Sequence, residues 1–328
     1  MLEEAANWRS ILKAWTGGRA YPNLWKLTEE SILERLKRRV AIPRGSGLVA
    51  GIGDDCAIFR APGADEDLLF TTDLSIESVH FERSTHSPAA VGHKALARGL
   101  SDIAAMGGEP LFCLVSLVLP GWAGDAWVDG FYAGLLKLAA ASGTVLAGGD
   151  LVSADRVTCD IVVAGSVPRG CALRRNGGRP GDEIYVSGRL GGSALGLATR
   201  RGLAWKRHTY PEPRLALGQY LRKKLGATAA MDLSDGLSLD LRRLALASKV
   251  AAAIEPPPIF PGATLEQALH GGEDYELLFT VPSGTRVPAR FENLPLTRIG
   301  VMERGPAGRL LLSGQPLAAL GYDHFRRS

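Results

Sequence analysis

Two adjacent carboxylates, Asp54 and Asp55, stand in Gly51-Ile-Gly-Asp-Asp-Cys-Ala-Ile-Phe59, behind glycines that let the backbone turn tightly and ahead of an apolar run of strand type. Unit negative charges 4 Å apart repel by roughly 4 kcal/mol at an effective dielectric near 20, so a fold that gathers carboxylates usually supplies a cation. Alone, the stretch is equally a polar turn. The pattern recurs, however: strand-like runs end in aspartate at Leu68-Leu-Phe-Thr-Thr-Asp73, at Thr144-Val-Leu-Ala-Gly-Gly-Asp150 and at Met231-Asp232-Leu-Ser-Asp235-Gly236. Ligands of open α/β folds collect beyond the carboxyl ends of strands, where all these aspartates are expected. Asp102, in Leu100-Ser-Asp-Ile-Ala-Ala-Met-Gly107, falls near the end of a predicted helix, where the dipole disfavours an anion, so it needs a cation or a donor. Carboxylates among small residues with few histidines form a hard oxygen set, suited to magnesium rather than zinc.

The elements that must position these groups are legible in outline. Thr28-Glu-Glu-Ser31 starts a helix with acidic residues in its first turn, and Ser87-Pro88 opens another that runs through Leu96, Leu100 and Ile103 to Gly107-Gly108. Residues 126–141 read as a helix, and the continuous apolar run 111–119 as a buried strand. Strands are expected at 157–167 and 277–281, and a helix after Asp235-Gly236. Gly191-Gly-Ser193 opens a helix and could hold an anion on its free amides, but it matches no phosphate-loop pattern, so a purely structural turn is the better reading. His80, between Val79 and Phe81, is by default a structural residue.

The chain has 328 residues, enough for about two domains, with 46% hydrophobic and 22% charged residues and a formal charge of +4. The basic residues are scattered, which gives no case for nucleic acid. No apolar run approaches membrane-spanning length and no secretory leader is visible, so a cytoplasmic location is expected. Cys56, Cys113, Cys159 and Cys171 form no metal-ligand spacing and read as reduced, mostly buried thiols. Three tryptophans, Trp8, Trp15 and Trp25, crowd an amino-terminal extension, residues 1–26, which reads as a surface-packed appendage or an upstream start of translation rather than a docking element. The expected division is then residues 27–168, an α/β domain, and 169–328, an α+β domain.

Taken together, Gly51-Ile-Gly-Asp-Asp-Cys-Ala57, Thr71-Thr-Asp73, His80-Phe81, Leu100–Gly107, Gly148-Gly-Asp150, Pro180-Gly-Asp182, Asp232-Leu-Ser-Asp-Gly236, Gly271-Gly-Glu-Asp-Tyr-Glu276 and Gly321-Tyr-Asp-His-Phe325 resemble, in order and spacing, the thiamine-monophosphate kinases of the aminoimidazole ribonucleotide synthetase-like superfamily. The resemblance implies that fold, with an N-terminal sheet domain pairing into a homodimer and a C-terminal α+β domain over the site. It implies transfer of the ATP γ-phosphoryl group to thiamine monophosphate, giving thiamine diphosphate. By the same resemblance, Asp55, Thr71, Thr72, Asp73, Asp102, Asp150, Asp232 and Asp235 hold several Mg2+ ions. Gly149, Asp150, Arg175 and Ser234 contact ATP, and His80, Glu273 and Tyr322 hold the thiamine moiety. The acceptor is itself a phosphate, ionised near neutral pH, so no side-chain base or nucleophile is required. Two positions depart from the family pattern: Gly99 stands where asparagine is expected and Leu151 where threonine is usual.

Rivals on the same fold are distinguishable. A selenophosphate synthetase needs a reactive cysteine or selenocysteine near the amino terminus, and residues 1–50 hold no cysteine. A hydrogenase-maturation dehydratase ends in an acceptor cysteine, whereas this chain ends Arg326-Arg-Ser328. From another class, a non-catalytic magnesium-nucleotide sensor would keep the carboxylates without turnover.

Overall fold

The computed structural model describes residues 28–325, so the tryptophan-bearing extension lies outside the described residues. Residues 42–322 form one compact unit, and a small second unit carries helix α1 (Glu29–Arg39). That helix starts where the sequence indicates. Thr28 Oγ1 accepts the Ser31 amide and Ser31 Oγ accepts the Thr28 amide, each at 3.1 Å, and Lys37, Arg38 and Arg39 complement the dipole at its end.

Within the large unit, the first half of the chain builds a six-stranded sheet. In sequence its strands are β1 (Leu48–Ala50), β2 (Ala57–Phe59), β3 (Glu66–Ile76), β4 (Glu109–Leu119), β5 (Val145–Ser153) and β6 (Thr158–Pro168); in space the order is β1-β2-β3-β6-β4-β5. Only β4 and β5 run parallel. Two helices, α2 (Pro88–Ala105) and α3 (Asp125–Ser142), contribute to the core on one face. They cross closely because glycine stands at each contact: a Cβ on Gly92 would lie 1.9 Å from the Phe131 carbonyl oxygen, and one on Gly134 equally near that of Ala89. The other face is bare in the single chain, and the expectation of a fully buried strand at 111–119 is corrected here. Cys113, Val115 and Leu117 are buried, while Leu114, of opposite parity, is exposed because helices cover one side only, and Leu111 is exposed at a register shift near the strand's start.

The second half builds a larger sheet. Its elements are β7 (Glu183–Ser187), α4 (Gly192–Thr199), α5 (Gly202–Thr209), α6 (Leu215–Tyr220), β8 (Ala229–Asp232), α7 (Leu237–Ser248), β9 (Ala251–Ile254), α8 (Leu265–His270), β10 (Leu277–Val281), β11 (Arg290–Phe291), β12 (Leu294–Glu303), β13 (Leu310–Leu312) and β14 (Gln315–Pro316). The sheet runs β14-β13-β9-β12-β7-β10-β8, with β11 beside β12. One core joins α7 to its strands through Leu237, Leu241 and Leu244.

A second core joins Leu217 and Leu221 to Phe279 and Leu277, and it includes Ala104 and Ala105 from the end of α2. Helix α2 is therefore buried by two sheets: Leu96, Leu100 and Ile103 belong to the first core and its C-terminal alanines to the second. This double burial carries Ser101 and Asp102 to the end of β8.

Candidate active site

Three carboxylates, from residues far apart in the chain, meet at that junction. Asp55 stands in the turn before β2, Asp102 in the last turn of α2 and Asp232 at the end of β8, and each offers an oxygen within 4.8 Å of the other two. Among the described residues this is the one acidic group able to hold an ion. The local fold explains each position. Asp232 accepts a bond from Ser101 Oγ at 2.7 Å, one residue before Asp102, which locks α2 to β8. Asp102 accepts from Thr71 Oγ1, whose place on β3 opposite buried Val163 turns it toward the helices.

The electrostatics of the group are unfavourable without a cation. Burial, followed by the charges of Asp73, Asp232 and Asp55, pushes Asp102 well above the usual carboxylate range. Burial and then Asp55 push Asp232 in the same direction, against the Ser101 bond. Asp54 is raised by burial and by Asp55, although Arg174 reaches it at 3.1 Å and the Arg175 amide donates to it at 3.1 Å. Arg175 grips Asp55 with both ends of its fork, Nη2 to Oδ1 at 2.7 Å and Nε to Oδ2 at 3.3 Å. These residues fit a divalent cation: hard oxygen donors, deeply buried and in mutual repulsion, with too few positive side chains to neutralise them.

Around this group the remaining predicted residues sort by geometry. Asp73 pairs with Arg98 Nη2 at 3.1 Å beside the group. Asp235, in the loop before α7, is held by Arg243, and Asp240 accepts the Asp235 and Gly236 amides, both at 3.0 Å. The loop carrying Glu273 lies along the Asp232–Asp235 loop, since the Ser234 carbonyl accepts the Glu273 amide at 2.7 Å and the Leu233 carbonyl accepts that of Tyr275 at 2.9 Å. Tyr322 donates its amide to the Asp235 carbonyl at 2.9 Å, and burial with the charges of Glu273 and Asp235 raises its hydroxyl pKa. His80 is fixed in the turn after β3, where its Nδ1 accepts the Ile76 amide at 3.0 Å.

Thr72 and Asp150 are not brought to the three-carboxylate group of the single chain. Side chains alternate along a strand, so if Thr71 and Asp73 face the helices, Thr72 points the other way. Its hydroxyl donates to Asp160 at 2.7 Å. Asp160 is registered with Ser116, and Ser116 with Asp150, so these three form a row across the bare face of the sheet, with Thr72 bonded diagonally to its end, away from the three-carboxylate group. The expected placement at strand ends also fails for Asp73 and Asp150, which lie inside β3 and β5. β3 continues because antiparallel β6 pairs past Asp73, and β5 because parallel β4 pairs past Asp150. The Gly191 turn proves structural: the anion on its amides is Asp274, which accepts from Gly191 at 2.6 Å and Ser193 at 3.0 Å, and burial pushes that carboxyl up to about 6. At Gly99, a Cβ would meet Val163 Cγ2 at 2.5 Å, so valine fills the space a longer side chain would need; Leu151 is exposed on the edge strand.

Residues not anticipated from sequence complete the site. Lys94, Arg98 and Asp102 follow one another at intervals of four on α2, so they share one helix face. Lys94 Nζ meets Glu273 Oε2 at 2.9 Å, and Arg98 also donates to the Leu74 carbonyl at 3.0 Å and Ser75 Oγ at 3.1 Å. The spacing of these charges within an otherwise small and apolar helix was the available signal.

Comparison with known proteins identifies the family and its fold. The family model for the AIR synthase related protein N-terminal domain matches residues 53–167, and that for the C-terminal domain matches residues 179–313. The chain is 37% identical to the thiamine-monophosphate kinase of Escherichia coli (strain K12) over 325 residues, covering 90% of this chain and 98% of the relative. The chain belongs to the thiamine-monophosphate kinase family. The Bacillus subtilis (strain 168) member is 34% identical over 311 residues, covering 86% of this chain and 95% of that one. Among solved structures, AaThiL complexed with AMPPCP and TMP superposes with a TM-score of 0.82 at 30% identity, covering 93% of this chain and all of that one. Hydrogenase maturation protein HypE in complex with ATP, at 18% identity and a TM-score of 0.62, shares the fold alone. Among the described residues, no helix is long and apolar enough to cross a membrane.

Proposed function

We propose that this chain transfers the γ-phosphoryl group of ATP directly to thiamine monophosphate, giving thiamine diphosphate and ADP. The observation that carries the proposal is the meeting of Asp55, Asp102 and Asp232 within 4.8 Å beside Arg175, in a chain of this family. AMPPCP and TMP, bound by the similar AaThiL, are the matching pair of ligands.

Asp55, Asp102 and Asp232 would hold Mg2+, with Asp73, Asp235 and Thr71 at the margin of the group. Bound there, magnesium would supply neutralisation of the phosphate oxygens. Arg175 sits where its guanidinium serves either Asp55 or a phosphate, and Ser234 lies in the adjoining loop. Glu273 and Tyr322 flank that loop and take the thiamine end of the acceptor, with His80 in the nearby polypeptide of the first sheet's β3 turn. No residue is assigned as base or nucleophile, because the attacking group is an ionised phosphate oxygen.

The bare sheet face, with Leu74, Leu114, Val145 and Val152 exposed, supports pairing of two copies through the first domain, taken as residues 27–168. Thr72 and Asp150 lie on that face. Their contribution, with that of Gly149 on the same strand as Asp150, is therefore assigned to the paired arrangement rather than to the single-chain group.

The test is incubation of purified protein with ATP, Mg2+ and thiamine monophosphate, followed by chromatography. Thiamine diphosphate is expected. ATP binding without product would favour a non-catalytic nucleotide sensor and overturn the proposal.

A further inference from the structure

Glu273 is held in an unusual way. Its backbone is left-handed, with φ of +65°, and its amide is tied to the Ser234 carbonyl at 2.7 Å, so the residue is fixed to the loop that carries Asp232 and Asp235. One carboxylate oxygen, Oε2, is committed: Lys94 Nζ donates to it at 2.9 Å, and His208 Nδ1 lies 3.4 Å away. The other, Oε1, has no hydrogen-bond partner among the described residues, and about a quarter of the side chain (26%) is open to solvent.

The groups behind Oε2 are buried and braced. Lys94 is 4% exposed and His208 2%. The Lys94 ammonium faces His208 Nε2 at 3.5 Å, which makes that nitrogen the acceptor and puts the ring proton on Nδ1, directed at Ser193 Oγ (2.9 Å) and Glu273. Trp205 stacks on the His208 ring at a centroid distance of 5.2 Å, and His86 packs edge-on at 5.5 Å. Burial and the Lys94 charge hold His208 at about 4, so it stays neutral. The cation facing Glu273 here is thus Lys94, with Arg98 next along the helix.

We propose that Lys94, braced by neutral His208, is a positioning residue: it occupies one oxygen of Glu273 so that the other is presented as a fixed anionic acceptor to an N–H donor of the phosphate-accepting substrate. This rests on the function proposed above. It adds that recognition of the acceptor depends on a buried lysine from the first sheet's helix, which reaches across to the second domain's Gly-Gly-Glu-Asp-Tyr-Glu segment.

The experiment is steady-state kinetics, with calorimetric binding of thiamine monophosphate, for the native protein and for Lys94→Met, Lys94→Arg, Glu273→Gln and the Lys94→Met/Glu273→Gln pair. Lys94→Met is expected to raise KM for thiamine monophosphate about 10-fold or more, the size of one charge-assisted bond, with KM for ATP within about 2-fold of native. Lys94→Arg is expected to recover part of the loss. In the Glu273→Gln background, adding Lys94→Met should change that KM by less than about 2-fold, because the lysine acts through the carboxylate. An unchanged KM in Lys94→Met, or an equal loss with and without Glu273, overturns the proposal. Should Lys94→Met not fold, Lys94→Arg and His208→Gln report the same split by their KM for thiamine monophosphate against that for ATP. A native protein that neither binds nor converts thiamine monophosphate would instead bring down the proposed function, and this inference with it.

Discussion

Replacing Asp102 by asparagine should make the metal-free protein more stable while disabling it. Oxygens of Asp55, Asp102 and Asp232 lie within 4.8 Å of one another, and a pair of unit charges at that distance repels by about 3.5 kcal/mol at an effective dielectric of 20. Arg175 compensates Asp55, which leaves the repulsion between Asp102 and Asp232 as the larger uncompensated contribution. Asparagine keeps an oxygen to accept the Thr71 hydroxyl and removes the charge from a buried position, so the Coulomb figure is a ceiling and a gain of about 1–3 kcal/mol is expected. For a unit of this size each kcal/mol moves the thermal midpoint by roughly 2–4 °C. Calorimetric scans in chelator should therefore show a higher midpoint for Asp102→Asn than for native protein. Added Mg2+ should stabilise the native protein by about 2.7 kcal/mol at a hundred times its dissociation constant, raising its midpoint, and leave the variant nearly unmoved. Thiamine diphosphate formation by the variant should fall at least about 100-fold. A lower metal-free midpoint for Asp102→Asn would refute the reasoning, because it would show that the carboxylate holds the fold together rather than strains it.

Three further outcomes are expected. Asp73→Asn should lower turnover at least about 100-fold with the far-ultraviolet circular dichroism unchanged, and near-native turnover would remove Asp73 from the charge-handling set. Gly149→Ala should destabilise by about 2–5 kcal/mol, measured by denaturant unfolding, because φ is +152° and the added Cβ would fall 1.8 Å from the Val115 carbonyl oxygen; a stable variant would show that β4 and β5 are not so closely apposed. Burial pushes the Glu273 carboxyl up, but the Lys94 charge, with the Lys94 hydrogen bond and the Arg98 charge, outweighs it and holds the group at about 2, below its ordinary 4.5. A depressed folded value adds stability above pH 4.5 that is lost as the pH falls through 2. The stability difference between native protein and Glu273→Gln should therefore shrink over that window, from a maximum of about 3 kcal/mol, and a pH-independent difference would refute the assignment.

What could be read from the sequence is what depends on near neighbours. The caps at Thr28 and Ser87, the strand 277–281 and the helix after Gly236 rest on local hydrogen bonding and periodicity, and they stand where expected. Burial is different, because it depends on what covers each face. The run 111–119 is uniformly apolar, yet Leu114 faces outward while Cys113 and Val115 do not, and no residue within the run distinguishes the two sets. Parity limits the site in the same way. In Thr71-Thr72-Asp73 three adjacent oxygen ligands look equivalent as text, but a strand sends the middle one to the opposite face, where it bonds Asp160 rather than the aspartates behind it.

The α2 charges show what a sequence reading can recover when burial is considered first. A helix enclosed by two sheets cannot leave Lys94, Arg98 or Asp102 uncompensated, since an unpaired buried charge costs several kcal/mol. Each must therefore meet a group of opposite sign brought by another element. Arg98 meets Asp73 from β3, and Lys94 meets Glu273 from the loop before β10. Asp102 alone is answered chiefly by other aspartates, Asp55 and Asp232, and by the hydroxyl of Thr71. Along one helix face the charges run from the partner of Glu273 to the acidic group, and only the last lacks a full protein counter-charge. On the proposed function, that imbalance is the reason to expect the cation beside Asp102, one end of the stripe, and the acceptor near Lys94, the other.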